Sequence, residues 1–136
     1  MAFLIDTSAL IHVLRDKAGH VSRRYDAIVG AEPVKLSRVT SFELLKGARD
    51  DAEWSRLDQM LSSQAILDAE SDDWMRAARI VFDLRRKGTT LKAPIDALIA
   101  QVALRHSLTL LHDDHDFELI AATYPLRLLR FSLQDI

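Results

Sequence analysis

The feature that most constrains this chain is an alternation. Short apolar runs, "FLI" (3–5), "VKLSRV" (34–39), "AILDA" (65–69), "LTLLH" (108–112) and "LRLLRF" (126–131), recur between longer segments with helical spacing. Runs this short suit strands. Helices are expected over 9–16, 21–30, 41–48, 52–63, 71–88, 94–107 and 116–123. The clearest is 71–88. It opens on Ser71-Asp72-Asp73, carries apolar residues at 74, 77, 78, 81, 82 and 84, and gathers cations before Gly88. The segment 94–107 has Pro94 near its first turn, where proline is tolerated. Strands separated by helices predict an α/β fold, a mainly parallel sheet flanked by helices. No linker, repeat or low-complexity tract breaks the pattern. A chain of 136 residues is long enough to bury one core, so a single domain over 1–136 is expected.

Composition removes several alternatives. The chain is 49% apolar and 28% charged, ordinary for a soluble globular protein. It has no cysteine, which excludes a disulfide framework, a thiol nucleophile and a thiolate metal site. No apolar stretch approaches the roughly 20 residues of a membrane span. "MAFLID" meets an acid at position 6, too early for the apolar region of a signal peptide. A cytoplasmic protein with no membrane partner is the expectation.

In a parallel α/β sheet the functional crevice lies beyond the carboxyl ends of the strands. That rule gives the acids meaning. Asp6 follows the first strand. Asp113, Asp114 and Asp116 follow "LTLLH". Glu43 lies four residues past "VKLSRV", and Asp96 falls in the first turn of its helix. If these strands are neighbours, about 4.8 Å apart, the carboxylates converge on one rim. Clustered carboxylates repel and have raised pKa values unless a cation offsets them. All-oxygen ligands suit Mg2+ or Mn2+ rather than zinc.

Each acid also has a local explanation. Asp6 fits a helix N-cap. Thr40-x-x-Glu43 matches a capping box. Asp96 complements a helix dipole, and Asp114 or Asp116 can cap the last helix. His112 and His115 with Asp113 resemble a zinc set, but no distant Cys or His pair completes it. His112 is therefore expected to end the strand and His115 to be solvated. Thr7 and Ser8 lack a base to activate them as nucleophiles, so their expected role is a hydrogen bond to a metal ligand. Arg85, Arg86, Lys87 and Lys92 gather just before Asp96. They suit contact with phosphates, and equally suit solvated caps of a helix C-terminus. Arg15, Arg23 and Arg24 are further cation candidates. The net charge of −2 is carried by the acids of the presumed site, and the remaining surface is mildly basic.

Three segments resemble the four ordered motifs of PIN-domain ribonucleases: "FLIDTSALI" the first, "VTSFELLKGA" the second, and "PIDALIAQVALRHSLTLLHDDHDFELIA" the third and fourth. Size and motif style are closest to the VapC toxins of bacterial VapBC toxin–antitoxin modules. The resemblance implies a PIN-like three-layer sandwich and an acidic quartet of Asp6, Glu43, Asp96 and Asp114. Asp6 and Asp96 would be the steadiest metal ligands, and Asp116 joins because the last motif often holds two acids. Asp113 stands outside the usual pattern. The same resemblance implies one or two Mg2+ ions, hydrolysis of structured RNA such as tRNA or a ribosomal RNA loop by an activated water, a homodimer, and silencing by a VapB-like antitoxin. A phosphoryl-accepting receiver domain would need a lysine after a late strand, which "LRLLRF" lacks. The alternative is a catalytically inactive PIN-like module that binds RNA or protein, and the full set of acids argues against it.

Overall fold

The computed structural model describes residues 1–135. Among them the chain forms, in order, β1 (Phe3–Ile5), α1 (Thr7–Leu14), α2 (His20–Val29), β2 (Val34–Ser37), α3 (Arg38–Lys46), α4 (Asp51–Ser62), β3 (Ala65–Leu67), α5 (Ser71–Arg86), α6 (Asp96–Arg105), β4 (Thr109–His112), α7 (His115–Ala121) and β5 (Leu128–Arg130). A short 3-10 turn, Leu133–Asp135, follows. The strands make one sheet in the order β3-β2-β1-β4-β5, every neighbouring pair parallel. The α/β expectation therefore holds.

Helices cover both faces, so strands read as unbroken apolar runs rather than alternating ones. In β1, Phe3 and Ile5 face one core with residues of α1, α2, α3 and α4. Leu4 faces the other, with residues of α5, α6 and α7. The second core is fastened by a buried carboxylate. Asp73 of α5 is 1% exposed. It accepts from Arg105 Nε at 2.9 Å and Gln101 Nε2 at 3.2 Å, both on α6, and from the Glu70 N–H at 2.8 Å. Burial acts to raise its pKa, but these donors outweigh it and hold the carboxyl below its ordinary value.

One boundary differs from the sequence pattern in a way that matters. α3 begins at Arg38, not at 41, because Ser37 ends β2 and caps the helix, its hydroxyl oxygen accepting the Thr40 N–H at 3.2 Å. Thr40 is thus inside the helix and Glu43 in its second turn. The Thr40–Glu43 capping box does not exist.

Topology places the crevice. From β1 the chain steps through β2 to β3 on one side, then returns to β4 and β5 on the other. β1 and β4 pair directly, Ile5 opposite Leu111. This is the topological switch point, where the loops leaving adjacent strands part and open a cleft. Asp6 ends β1 and Asp113-Asp114 follow β4. No helix among the described residues is long and apolar enough to cross a membrane.

Candidate metal centre

Asp6 is both a cap and a site residue. As N-cap of α1 its Oδ2 accepts the Ser8 N–H at 3.0 Å and the Ser8 hydroxyl at 2.6 Å. Its Oδ1 is buried with no hydrogen-bond partner. Burial first, and then the charges of Glu43 and Asp114, push its pKa up to about 6 against the lowering effect of Ser8. The capping explanation accounts for one oxygen only.

Asp96 opens α6 without capping it. Ile95 occupies the cap position in helical conformation, with no side-chain cap bond. The Asp96 carboxyl is 5% exposed, and Oδ2 has no partner. Burial raises its pKa most, then its hydrogen bond to Asp116 and the charges of Asp6, Asp114 and Asp116, to about 9. A carboxyl raised this far by burial and neighbouring acids is one that a cation beside it would return to the charged form.

The β4–α7 turn supplies the remainder. Asp114 caps α7, accepting the Asp116 N–H at 3.0 Å. Asp116 is buried, and its two oxygens accept the Lys92 and Ala93 N–H groups at 3.0 and 2.9 Å. Burial works to raise its pKa, but those two donors prevail and keep it low. One oxygen each from Asp96, Asp114 and Asp116 lie within 4.8 Å of one another. This buried acidic group can hold a metal ion. Asp6 and Glu43 fall outside that trio, though the charge of Asp6 helps raise the Asp96 pKa, and those of Glu43 and Asp114 help raise that of Asp6. Two orphaned buried oxygens, on Asp6 and Asp96, and an all-oxygen donor set fit a hard divalent cation.

Glu43, on α3, is close enough to Asp6 for its charge to raise the Asp6 pKa. It accepts the Thr7 hydroxyl at 2.8 Å, a bond that ties α3 to the start of α1. The histidines take no part in a zinc set. His112 is fully buried, its Nδ1 accepting the Asp114 N–H at 3.1 Å and its ring edge-on to Phe117 at 5.4 Å. Burial lowers its pKa, so the ring is neutral. His115 is exposed and pairs with Glu118 at 3.0 Å.

Asp113 has a role that its sequence position did not reveal. His12 Nε2–H donates to Oδ2 at 2.8 Å and Arg130 Nε–H to Oδ1 at 3.0 Å. Its backbone N–H donates to Ser8 Oγ at 2.9 Å, the same hydroxyl that holds Asp6. Burial opposes ionisation, but His12 and Arg130 outweigh it and keep the carboxyl below its ordinary pKa. Asp113 thus clamps the turn carrying Asp114 and Asp116 to α1 and β5. The spacing of four from Ser8 to His12, one helical face, was the available signal.

A cleft of about 590 Å³ runs past Ser8, Asp114 and Asp116, with Lys92 on its wall. Arg85, Arg86 and Lys87 do not line it. They are exposed in the last turn of α5 and just beyond.

Comparison with known proteins follows the same lines. The profile of the PIN domain matches residues 3–122. Ribonuclease VapC11 of Mycobacterium tuberculosis is 30% identical over 131 residues, covering 94% of this chain and 98% of that protein. Ribonuclease VapC51 of the same organism is 31% identical over 122 residues, 90% and 87% of the two chains. Among solved structures, DNA-bound VapBC from Salmonella typhimurium superposes with a TM-score of 0.76 at 23% identity, covering 97% of this chain and 99% of that one. FitAcB from Neisseria gonorrhoeae gives 0.74 at 22% identity, covering 93% and 96%. At those identities the structures establish likeness of fold.

Proposed function

Since this chain belongs to the PIN-domain family, among the VapC ribonucleases, we propose that it is a Mg2+-dependent endoribonuclease acting as the toxin of a toxin–antitoxin pair. The observation that carries the reading is the pair of orphaned, buried carboxylate oxygens on Asp6 and Asp96 beside Asp114. Structured RNA such as tRNA or ribosomal RNA is the proposed substrate.

Asp96, Asp114 and Asp116 would hold the ion, Asp116 while also fixing the 92–93 backbone, with Asp6 near enough to raise the Asp96 pKa. When bound, a divalent cation lowers the pKa of the attacking water and offsets charge on the phosphodiester; Mn2+ has the same donor preference. Glu43, oriented by Thr7, is the base that takes the water's proton. Ser8 fixes the rotamer of Asp6 from the second layer of contacts. Lys92 on the cleft wall holds the scissile phosphate, and Arg85, Arg86 and Lys87 attract the polyanion.

The solved neighbours are VapBC and FitAcB, and one from Klebsiella pneumoniae is described as a toxin–antitoxin complex, which supports a VapB-like antitoxin as partner. Exposed Phe42 (64%) and Trp74 (55%) flank an apolar groove of about 370 Å³ and support a homodimer. On α3, Leu44 is buried in this chain's own core, and Phe42 is the apolar residue the helix offers to a second subunit.

The test is incubation of purified protein with an RNA pool. Cleavage that appears with Mg2+, stops with a chelator and is suppressed by the product of the adjacent gene is the expected result. Binding of RNA with no cleavage under Mg2+ or Mn2+ would favour the inactive PIN-like module instead.

A further inference from the structure

Phe82 leaves 46% of its surface in water near the end of α5, where the other exposed residues from position 79 onward are Arg79, Arg85 and Arg86. Three residues before it and four after it, on the same helical face, stand Arg79 and Arg86. The Arg79 guanidinium lies over the Phe82 ring, 5.0 Å from its centroid, and that of Arg86 at 5.6 Å. Arg79 also pairs with Asp83 at 3.0 Å. Among the described residues, no carboxylate forms an ion pair with Arg85, Arg86 or Lys87.

Last-turn cations alone are explained by the helix dipole. The dipole does not explain an exposed aromatic ring with two guanidinium groups within 6 Å of its centroid. Nor does it explain where the chain goes next. The segment after α5 leads directly to the cleft, whose wall includes Thr90, Leu91 and Lys92, and the Lys92 N–H is fixed on Asp116. Lys92 comes six positions after Arg86, so their Cα atoms are at most about 22 Å apart. An acidic cup repels a polyanion until cations at its approach compensate. An aromatic–arginine surface there supplies both what phosphates need and what an unpaired base needs, a face to stack on.

We propose that Phe82, with Arg79 and Arg86, is a docking platform for a single-stranded stretch of the RNA substrate, one base stacking on the aromatic–guanidinium surface while the phosphates pass Arg85 and Lys87 toward Lys92. This rests on the ribonuclease reading of the acid cup. Bases in a duplex have no free face to stack, so the platform selects unpaired substrate.

The experiment measures anisotropy of a fluorescein-labelled single-stranded RNA of roughly 12 nucleotides, the size of an extended strand site. The protein carries Asp96→Asn so that the probe stays intact. Adding Phe82→Ala is expected to weaken binding about tenfold or more, and Phe82→Trp to keep it. Arg86→Ala is expected to lower the slope of log affinity against log salt by about one. The same RNA annealed to its complement is expected to bind equally with or without Phe82→Ala. With the acids intact, Phe82→Ala is expected to raise KM for cleavage and leave kcat unchanged. Unaltered single-strand affinity in Phe82→Ala, equal loss in Phe82→Trp, or no binding of the probe at all would overturn the platform. Failure of the unmodified protein to cleave RNA would defeat the ribonuclease reading, whereas cleavage with unchanged Phe82→Ala binding defeats the platform alone.

Discussion

At the scale of single residues, the cup is a place where carboxylates are destabilised until a cation arrives. Asp6 and Asp96 have pKa values of about 6 and about 9 against 3.8 in a solvated chain. The folded protein therefore binds more protons than the unfolded one over that interval. Cation-free protein should lose stability as pH rises from about 4, through about 6 for Asp6 and on toward about 9 for Asp96. Thermal melts from about pH 7, above the titration of the partly buried His106 and the buried His112, toward about 9 should fall with pH, and Asp96→Asn should flatten the decline. Mg2+ competes with those protons, so it should raise Tm more at about pH 8 than at about pH 5. Melts that rise steadily over the same range would show that the acids are not crowded. Glu43 gives a second test. With no capping box to serve, Glu43→Gln leaves the helix intact and should cut cleavage by about 100-fold or more, the usual contribution of a positioned base. Wild-type turnover in that variant would remove Glu43 from the chemistry. Asp113→Ala should weaken Mn2+ binding, read by electron paramagnetic resonance, by about tenfold or more, as expected for a group that orients ligands. Unchanged affinity would reduce Asp113 to a surface ion pair.

At the scale of elements, periodicity and punctuation carried nearly all of the fold. Each of the five strands and seven helices was visible because runs such as Phe3–Ile5 are too short for helices and Ser71–Arg86 too regular for anything else. Boundaries were less legible. Arg38 and Val39 read as the end of a strand, but the Ser37 hydroxyl caps α3 and the chain enters the helix at Arg38, a choice made by burial and pairing rather than by local propensity. The acids were legible because strand ends are where an α/β fold places ligands, but their division of labour was not. Nothing local says that Asp116 spends its oxygens on the Lys92 and Ala93 backbone, or that His12 and Arg130 converge on Asp113, since those partners are brought by distant elements. The same is true of the Asp73–Arg105 bond between α5 and α6. Asp73→Ala leaves Arg105, itself partly exposed, and Gln101 without their acceptor, and should cost about 2–3 kcal/mol in urea unfolding while the folded fraction retains its activity. A variant as stable as the parent would mean that water replaces the carboxylate without loss.

At the scale of the whole molecule, two surfaces serve different ends. The cleft at the β1–β4 switch point gathers charge, and the groove beside Phe42 and Trp74 leaves apolar area uncovered. Light scattering should report a dimer, and Trp74→Glu should shift it toward monomer; a strict monomer over a wide concentration range would remove the homodimer. On the function proposed above, these buried acids hold a divalent cation for RNA hydrolysis, at an electrostatic cost to the fold. Asp96→Asn tests this most directly when Tm and Mg2+-dependent RNA cleavage are measured on the same purified sample. The account predicts that cleavage disappears while Tm, without added cation, holds or rises, because a neutral amide relieves the crowding. Cleavage at the wild-type rate, or loss of cleavage only because the variant has unfolded, would contradict it.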